Sequence, residues 1–512
     1  MQLPAKENET MVRSKRILIP VTIVAILGVF LIAFLYFSMN RDGERHQAAS
    51  LFYENSLQAA DISVDAFASM DQDYNIGQNF TSNLPIFIFV RGNEKENGWE
   101  SGLLEIYDWG DDNNLFVSPT TSVSVRLEEE SVRNGIKPDI DIEMDGKAGE
   151  MTGVSLLGLA PDQTWHLSSM RNDTSMVRDY TAYRTASMIM EEVPRVAYCE
   201  VLYEEGGEIT YQGLYELTET VGVGQGKVEV KEPQENMVRV PYFVVSDTSR
   251  QGKIIGSRQL ETRYQRAYTS LLYPPEERLS QEQMRYIENR YQTITDRVHN
   301  LDDYTVVLDV DALIDYYIVN MYFGNYMAGK TNTYLTDSPE GKLKLGPVYG
   351  FELALGNDQG TASDPEKVSF DGMLFLEDLV ADSSFVSQFL DRFVELRRTV
   401  LRDQVIFAFI DEARDYLSVA KQRDDRRWRG DETTTEIPAI YRSGSIESNN
   451  YELDLYRIKS YLTTHATEVR THFAKIEEEQ RIASRFTSGN TLLLFVSLVL
   501  FFIPSILINR KG

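Results

Sequence analysis

The sequence predicts an α+β fold with two lobes, flanked by two membrane-spanning helices. The first half of the long central segment is rich in strand patterns and the second half in helical ones. Strands grouped before helices, instead of alternating with them, are typical of α+β proteins. A long uncharged run lies near each end of the chain. With 512 residues, 42% of them hydrophobic and 25% charged, the chain has the composition of a folded protein.

The two uncharged runs, residues 17–37 and 487–509, are long enough to cross a bilayer. At a rise of ~1.5 Å per residue, either helix would span a hydrocarbon core of ~30 Å. No pair of small residues at cleavage spacing follows the first run, so we expect an uncleaved anchor and not a signal peptide. The predicted organisation is a cytoplasmic tail (1–16), a transmembrane helix (17–37), a juxtamembrane stalk (38–83), a central domain (84–475), a juxtamembrane helix (476–486), a transmembrane helix (487–509) and a cytoplasmic tail (510–512).

Charge predicts where the central domain lies and which partners it avoids. The amino-terminal tail has more Lys and Arg residues than the segment just after the first run, which favours both termini in the cytoplasm. The formal net charge is −27 although both tails are basic, so the domain repels nucleic acid. Cys199 is the only cysteine, so no intrachain disulfide can form. We expect a two-pass protein of a bacterial cell membrane with its large domain extracytoplasmic.

Apolar runs and period-two alternation predict the strands of the first lobe. A β-hairpin is indicated by two such segments around an acidic, glycine-containing turn at residues 204–208. The predicted strands are residues 84–90, 122–126, 140–144, 197–203 and 211–217.

Helical periodicity dominates the rest of the domain, which we expect to be mostly helical. Asp173 is a candidate N-cap for the first helix, and Ser280 with Gln283 has the spacing of a capping box. The charged residues 422–449 are predicted to form an exposed loop. The predicted helices are residues 174–191, 280–300, 310–323, 385–401, 405–419 and 451–482.

The central domain carries a series of short motifs in a fixed order. They include residues 158–167 (GLAPDQTWHL), 173–180 (DTSMVRDY), 211–219 (YQGLYELTE) and 346–348 (GPV). Together they resemble the spore-coat protein H (CotH) kinase-like family over about residues 84–473. The resemblance implies an atypical protein-kinase-like fold. In active members it also implies ATP- and metal-dependent phosphorylation of protein serines.

Three positions that match motifs of this family have lost the residue type that the chemistry needs. Leu127 replaces a glycine that would let the backbone approach a phosphate, and three glutamates follow it. Met327 stands at the position of the family's catalytic aspartate, and a thioether neither accepts a proton nor holds Mg²⁺ well. Gly350 replaces an aspartate of the metal-holding motif. The resemblance therefore implies a catalytically degenerate, pseudokinase domain.

Other matched positions keep a polar side chain. Lys137, Glu219 and Lys330 are candidates for binding a nucleotide, and Asn332 and Glu352 for holding a metal ion. Each also has an ordinary structural explanation, such as pairing within the lobe, a solvated loop or a turn cap. We expect no cofactor in a degenerate domain, and ATP with Mg²⁺ or Mn²⁺ in an active one.

The sequence thus favours a membrane-anchored pseudokinase that is a scaffold or binding component of a bacterial cell-envelope assembly, such as one that makes a surface polymer. Its expected partners are the membrane and other envelope proteins, and the sequence leaves the oligomeric state open. Two alternatives remain. One is an active, divergent ATP-dependent protein kinase of the same family that uses Glu352 and Asn332 for the metal. The other is an extracytoplasmic sensor that binds a cationic or glycan ligand on its acidic face.

Overall fold

The computed structural model describes most of the predicted central domain and the helix that follows it. The first predicted membrane segment, residues 17–37, and most of the predicted stalk lie outside the described residues. Of the second segment, residues 487–509, only a helical backbone is described, as far as Ile508. The described ranges are 74–75, 80–109, 115–117, 120–145, 153–234, 236–247, 253–254, 260–261, 266–357, 363–368, 372–428 and 451–508.

No helix that the described residues form is both long and apolar enough to cross a bilayer. The membrane anchors therefore stay predictions of the sequence.

The strands fall into a short pair, a barrel and a second sheet. They are β1 (Tyr74–Asn75), β2 (Thr81–Ser82), β3 (Ile86–Glu94), β4 (Trp99–Trp109), β5 (Leu115–Val117), β6 (Thr121–Leu127), β7 (Ile140–Met144), β8 (Thr164–Ser168), β9 (Val196–Glu205), β10 (Glu208–Thr218), β11 (Tyr242–Asp247), β12 (Lys253–Ile254), β13 (Leu260–Glu261), β14 (Arg266–Tyr273), β15 (Thr333–Asp337) and β16 (Lys344–Leu345).

Helices dominate the carboxyl-terminal half of the described chain. They are α1 (Glu129–Arg133), α2 (Arg178–Ala186), α3 (Gln281–His299), α4 (Val310–Tyr322), α5 (Leu376–Leu379), α6 (Ser383–Arg398), α7 (Asp403–Trp428) and α8 (Tyr451–Ile508). The predicted α+β class is confirmed.

Seven strands close into a barrel in the order β3-β9-β10-β8-β7-β6-β4, with β4 pairing back onto β3. Neighbouring strands are antiparallel except for β3 and β9. Side chains alternate between the two faces, so Phe87 and Phe89 of β3 fill the barrel interior while Ile86 and Ile88 face outward. Closure leaves none of these seven strands as an open edge.

The second sheet lies within the half of the domain that the sequence predicts to be mostly helical, so that prediction was wrong there. Its strands run in the order β12-β14-β11-β15-β16, and β13 pairs with β14. All six residues of the central strand β11 are buried, so its sequence lacks the alternation that marks a half-exposed strand. Three of the other strands have only two residues, which is too short for any periodic signal.

The predicted exposed loop at residues 422–449 was wrong over its first seven residues. Helix α7 continues through them to Trp428, and residues 429–450 lie outside the described chain. Asp424 is buried, as is Lys421, which forms an ion pair with Asp425 (2.7 Å). Charged residues indicated solvent exposure, which holds for Arg426 and Arg427 but not for Asp424, which is buried in an ion pair with Lys137.

Of the two predicted helix N-termini, one is confirmed and one was wrong. The capping box at the start of α3 is confirmed: Ser280 Oγ accepts from the Gln283 N–H (3.2 Å), and Gln283 Oε1 accepts from the Ser280 N–H (2.8 Å). The N-cap at Asp173 was wrong, because α2 begins only at Arg178. The carboxylate of Asp173 instead accepts the backbone N–H of Ser175 (3.0 Å) and of Arg178 (3.0 Å), closing the turn before the helix.

Candidate functional site

Residues 346–357 lie against helix α2, which holds their backbone by three hydrogen bonds. The Gly350 N–H donates to Tyr183 Oη (2.9 Å), and the Phe351 N–H donates to Asp179 Oδ1 (2.6 Å). Arg178 Nε donates to the carbonyl of Ala354 (3.0 Å). A segment anchored in this way presents its side chains in a fixed geometry.

Of the three glycines in this segment, Gly350 has the most room around it. Its φ of +74° lies in the left-handed region, and a Cβ placed on it would have no atom within 4 Å. Space for a side chain therefore exists, although a non-glycine residue there would carry backbone strain of ~1–2 kcal/mol. The next residue, Phe351, is fully buried and packs edge-to-face on Tyr183 at 5.6 Å between ring centroids.

Glu352 belongs to a group of carboxylates that we call the acidic junction. Its side chain is half-buried, and burial together with the charges of Asp139 and Asp173 raises its pKa above the ordinary value. A hydrogen bond from Asn172 and the charge of Arg171 act in the opposite direction. The members of the acidic junction are Asp139, Asp173, Asp179, Glu216 and Glu352.

Two arginines offset part of this negative charge. Arg178 donates to the buried carboxylate of Asp173 and makes a close ion pair with it. Arg171 lies 3.6 Å from Asp139 and also pairs closely with Glu128, the residue after Leu127. Because both cations already have carboxylate partners, they do not leave a positive centre for an additional anion.

Asp179 of α2 and Glu216 of β10 interact electrostatically across the boundary between the helix and the barrel. Burial, followed by the charges of Glu352 and Asp173, raises the pKa of Asp179 to about 7 even though it accepts the Phe351 N–H. Glu216 is 3% exposed, and burial together with the charge of Asp179 raises its pKa well above the ordinary range. The two carboxyl groups therefore retain protons at pH values where a solvated acid is ionised.

Residues 325–332 form a tight turn that contains three of the predicted positions. Met327 is half-buried, and its N–H donates to Asn325 Oδ1 (3.3 Å). The ammonium of Lys330 lies 4.9 Å from the centroid of the Tyr326 ring. Asn332 adopts a left-handed conformation with φ +52°, and its N–H donates to Asp247 Oδ2 (3.2 Å). The backbone of Asn332 thus ties the turn to strand β11.

Lys137 is buried, with its side chain only 4% exposed. Its ammonium lies 2.8 Å from Asp424 Oδ1 of helix α7 and 4.5 Å from the centroid of the Tyr215 ring. It also donates to the carbonyl of Leu214. A phosphate could reach this nitrogen only if the pair with Asp424 opened.

Glu219 is also buried and has several hydrogen-bond donors. Arg195 reaches it with Nε (3.0 Å) and Nη2 (2.6 Å), and the Arg195 backbone N–H donates to its second oxygen (2.9 Å). The Ala160 N–H donates to it as well. These contacts match the alternative that Glu219 pairs within its own lobe.

The structure does not bring the predicted site residues into one place. Glu352 lies in the acidic junction, Lys137 and Glu219 are each held in separate ion pairs, and Lys330 and Asn332 belong to the turn at residues 325–332. Among the described residues, no three His, Cys, Asp or Glu side chains lie close enough together to hold a metal ion.

A family model supplies the decisive comparison. The model of the CotH kinase protein family matches residues 139–467. This chain is a CotH kinase family protein. No curated protein matches the chain. The resemblance found in the sequence is thereby confirmed at the level of the family.

The nucleotide and metal that the CotH family implies fit these side chains poorly. Lys137 is buried against Asp424, and Arg171 is occupied by Glu128, so neither offers a charge to a phosphate. Met327 has no carboxylate, and at Gly350 the chain offers only open space. The site roles of the polar candidates, and the degeneracy of the domain, stay predictions.

Four members of the acidic junction were missed as site residues. One signal was available in the strand β10, where Glu216 interrupts an apolar run that the barrel buries on both sides. A charged residue on a buried strand face usually has a function or a partner. Asp173 and Asp179 flank Arg178 within one family motif, but only the fold shows that the charges of both aspartates act on or respond to Glu352.

Proposed function

We propose that this protein is a CotH-type pseudokinase that acts as a scaffold or binding component of a bacterial cell-envelope assembly. Its domain keeps the family fold while the positions for phosphoryl transfer have other residues. The membrane and other envelope proteins are its partners, and the large domain is extracytoplasmic. It needs no cofactor for this role.

The observation that carries the proposal is the set of residues at three matched positions, Leu127, Met327 and Gly350. Phosphoryl transfer depends on cations around the transferred group and on acidic residues that hold Mg²⁺. Lys137 at the matched strand is buried and holds helix α7 against the barrel through Asp424. Leu127, Met327 and Gly350 supply neither a phosphate cradle, nor a base, nor a metal ligand.

A phosphotransfer assay tests this proposal. The full-length protein is incubated with γ-labelled ATP, Mg²⁺ or Mn²⁺, and casein as a serine-rich acceptor. We expect no label above the level of a heat-denatured sample, either in casein or in the protein itself. Metal-dependent labelling that disappears in Glu352→Ala would overturn the proposal, because it would place a working metal ligand at that residue.

The runner-up, an active divergent kinase, has one observation in its favour. Asp179 of the acidic junction has a pKa of about 7, which suits a general base. If this alternative is right, Asp179→Asn should abolish the labelling described above while ATP still binds. If the pseudokinase is right, Asp179→Asn changes no activity because there is none to lose.

A further inference from the structure

A cavity of about 470 Å³ lies at the mouth of the barrel, beside helix α1. Its apolar walls come from Phe89 of β3, Val125 and Leu127 of β6, and Tyr203 of β9. Val132 of α1 stands at the rim and is 50% exposed. Small-molecule sites are typically ~300–1,000 Å³ and are common in the mouths of β-barrels, so this cavity has an appropriate size and place.

Aromatic rings form part of the cavity lining. Phe89 and Tyr203 meet edge-to-face, with ring centroids 5.9 Å apart at an interplanar angle of 80°. Val125 and Leu127 are only partly buried against the barrel interior, so part of their apolar surface faces the cavity. A flat, apolar ligand can pack on such a lining and remove both surfaces from water.

The charges around the mouth are already balanced. Arg91 donates to both carboxylate oxygens of Glu100 (2.9 and 2.6 Å), and Arg133 lies 3.3 Å from Glu129. Ser101 Oγ exchanges hydrogen bonds with the backbone of Asn93. A charged ligand would have to displace one of these partners, whereas an uncharged ligand leaves them all in place.

Leu127, which replaces a glycine of the family pattern, also lines the cavity. Its leucine side chain removes the close backbone approach that a glycine would allow, and the same side chain supplies part of the apolar wall. We propose that the barrel mouth binds one molecule of an uncharged, planar, largely apolar ligand. This inference does not depend on whether the domain transfers phosphate.

Equilibrium dialysis of the full-length protein against indole tests the proposal. Indole is planar, uncharged and water-soluble, and its anionic and cationic analogues indole-3-acetate and tryptamine probe the charge requirement. We expect saturable binding of about one indole per chain, and at least tenfold weaker binding of both charged analogues. Val132→Trp fills the cavity from its exposed rim and should weaken indole binding at least tenfold.

Two further variants make the result decisive. Val306→Trp adds the same ring at a residue that is 52% exposed and outside the cavity, and it should bind indole like the wild type. Leu127→Asn makes the cavity wall polar and should also weaken indole binding. It serves as the cavity variant if Val132→Trp does not fold. The proposal is wrong if the wild type shows no saturable component, if both cavity variants bind normally, or if a charged analogue binds more tightly.

Discussion

At the scale of single residues, the ion pair between Lys137 and Asp424 makes the strongest prediction. Lys137→Met removes the cation and leaves a buried carboxylate, which typically costs ~3–5 kcal/mol of unfolding free energy. Urea unfolding of the full chain measures the loss. The control is Lys330→Met, which removes a half-buried ammonium from an aromatic ring and should cost at most ~1 kcal/mol. Equal, small losses in both variants would argue that Lys137 has no structural role.

The raised pKa of Asp179 predicts how stability depends on pH. The folded protein holds this proton up to about pH 7, whereas an unfolded aspartate releases it near ~3.9. Between these values the folded state binds more protons, so the contribution of Asp179 to the unfolding free energy falls as pH rises, by up to ~1.4 kcal/mol per unit. Asp179→Asn should remove this slope. The unfolding free energy of the variant minus that of the wild type should therefore be larger at pH 8 than at pH 4.

Asp141→Asn is the control for that measurement, because its effect on stability should depend on pH in the opposite direction. Hydrogen bonds from His166 and Arg126 lower the pKa of Asp141, so its contribution is present above the unfolded pKa and is lost as pH falls through the folded one. The variant should therefore be less stable than the wild type at neutral pH, with the difference shrinking in acid. If both variants show the same pH dependence, the environment described for Asp179 is incorrect.

Sequence reasoning identified Glu352 but not the residues around it. Asp173 and Asp179 share one short motif, whereas Asp139, Glu216 and Glu352 come from three other stretches of the chain. Their proximity depends on how the barrel packs against α2. Lys137 illustrates the converse: a lysine at a matched position suggests a phosphate ligand, and only the fold reveals Asp424, 287 residues later in the sequence, beside it.

At the scale of elements, the end of helix α7 is held by a bulge in strand β10. The strand register shifts between Tyr211 and Gly213, and there Asp424 accepts the Leu214 N–H (2.9 Å) while Trp428 Nε1 donates to the Gln212 carbonyl (2.7 Å). Gly213 has φ +136°, and a Cβ on it would lie 2.6 Å from Asp424 Oδ1. The close approach of helix and strand therefore requires glycine.

Gly213→Ala should push the last turns of α7 away from the barrel. Hydrogen exchange at residues 421–428 should become faster, because these amides lose their packing against β10. Gly206→Ala is the control, since Gly206 also has a positive φ (+61°) but a Cβ there would meet no atom within 4 Å. That variant carries the backbone strain without the clash, and unchanged exchange in both variants would contradict the docking of α7 at the bulge.

The capping box of α3 gives a local prediction that sequence and structure share. Ser280→Ala removes the acceptor for the Gln283 N–H and should lower the unfolding free energy by ~1 kcal/mol. Thr293→Ala changes an exposed residue of the same helix and should be nearly neutral. Urea unfolding of the two variants side by side measures the difference. A smaller loss for Ser280→Ala than for Thr293→Ala would show that the cap does not contribute.

At the scale of the whole molecule, the strands of the barrel were easier to predict than the second sheet. Strands β6 and β7 have an alternating pattern, and the β9–β10 hairpin is marked by its acidic, glycine-containing turn. Their predicted positions are confirmed to within a few residues. Strand β11 is buried on both faces and loses that pattern. The closure of seven strands into a barrel depends on pairings between distant segments, such as β3 with β9, which no local pattern encodes.

The central claim is that a CotH fold persists here without nucleotide-dependent catalysis, and the thermal stability of the full chain tests it most directly. The melting temperature is measured with and without ATP, in the presence of Mg²⁺ or Mn²⁺. We predict no change, because the matched positions offer neither a phosphate cradle nor a metal site. If ATP did bind, a concentration of 100 times its Kd would add ~2.7 kcal/mol to the unfolding free energy. A metal-dependent rise in melting temperature that is lost in Glu352→Ala would contradict the claim.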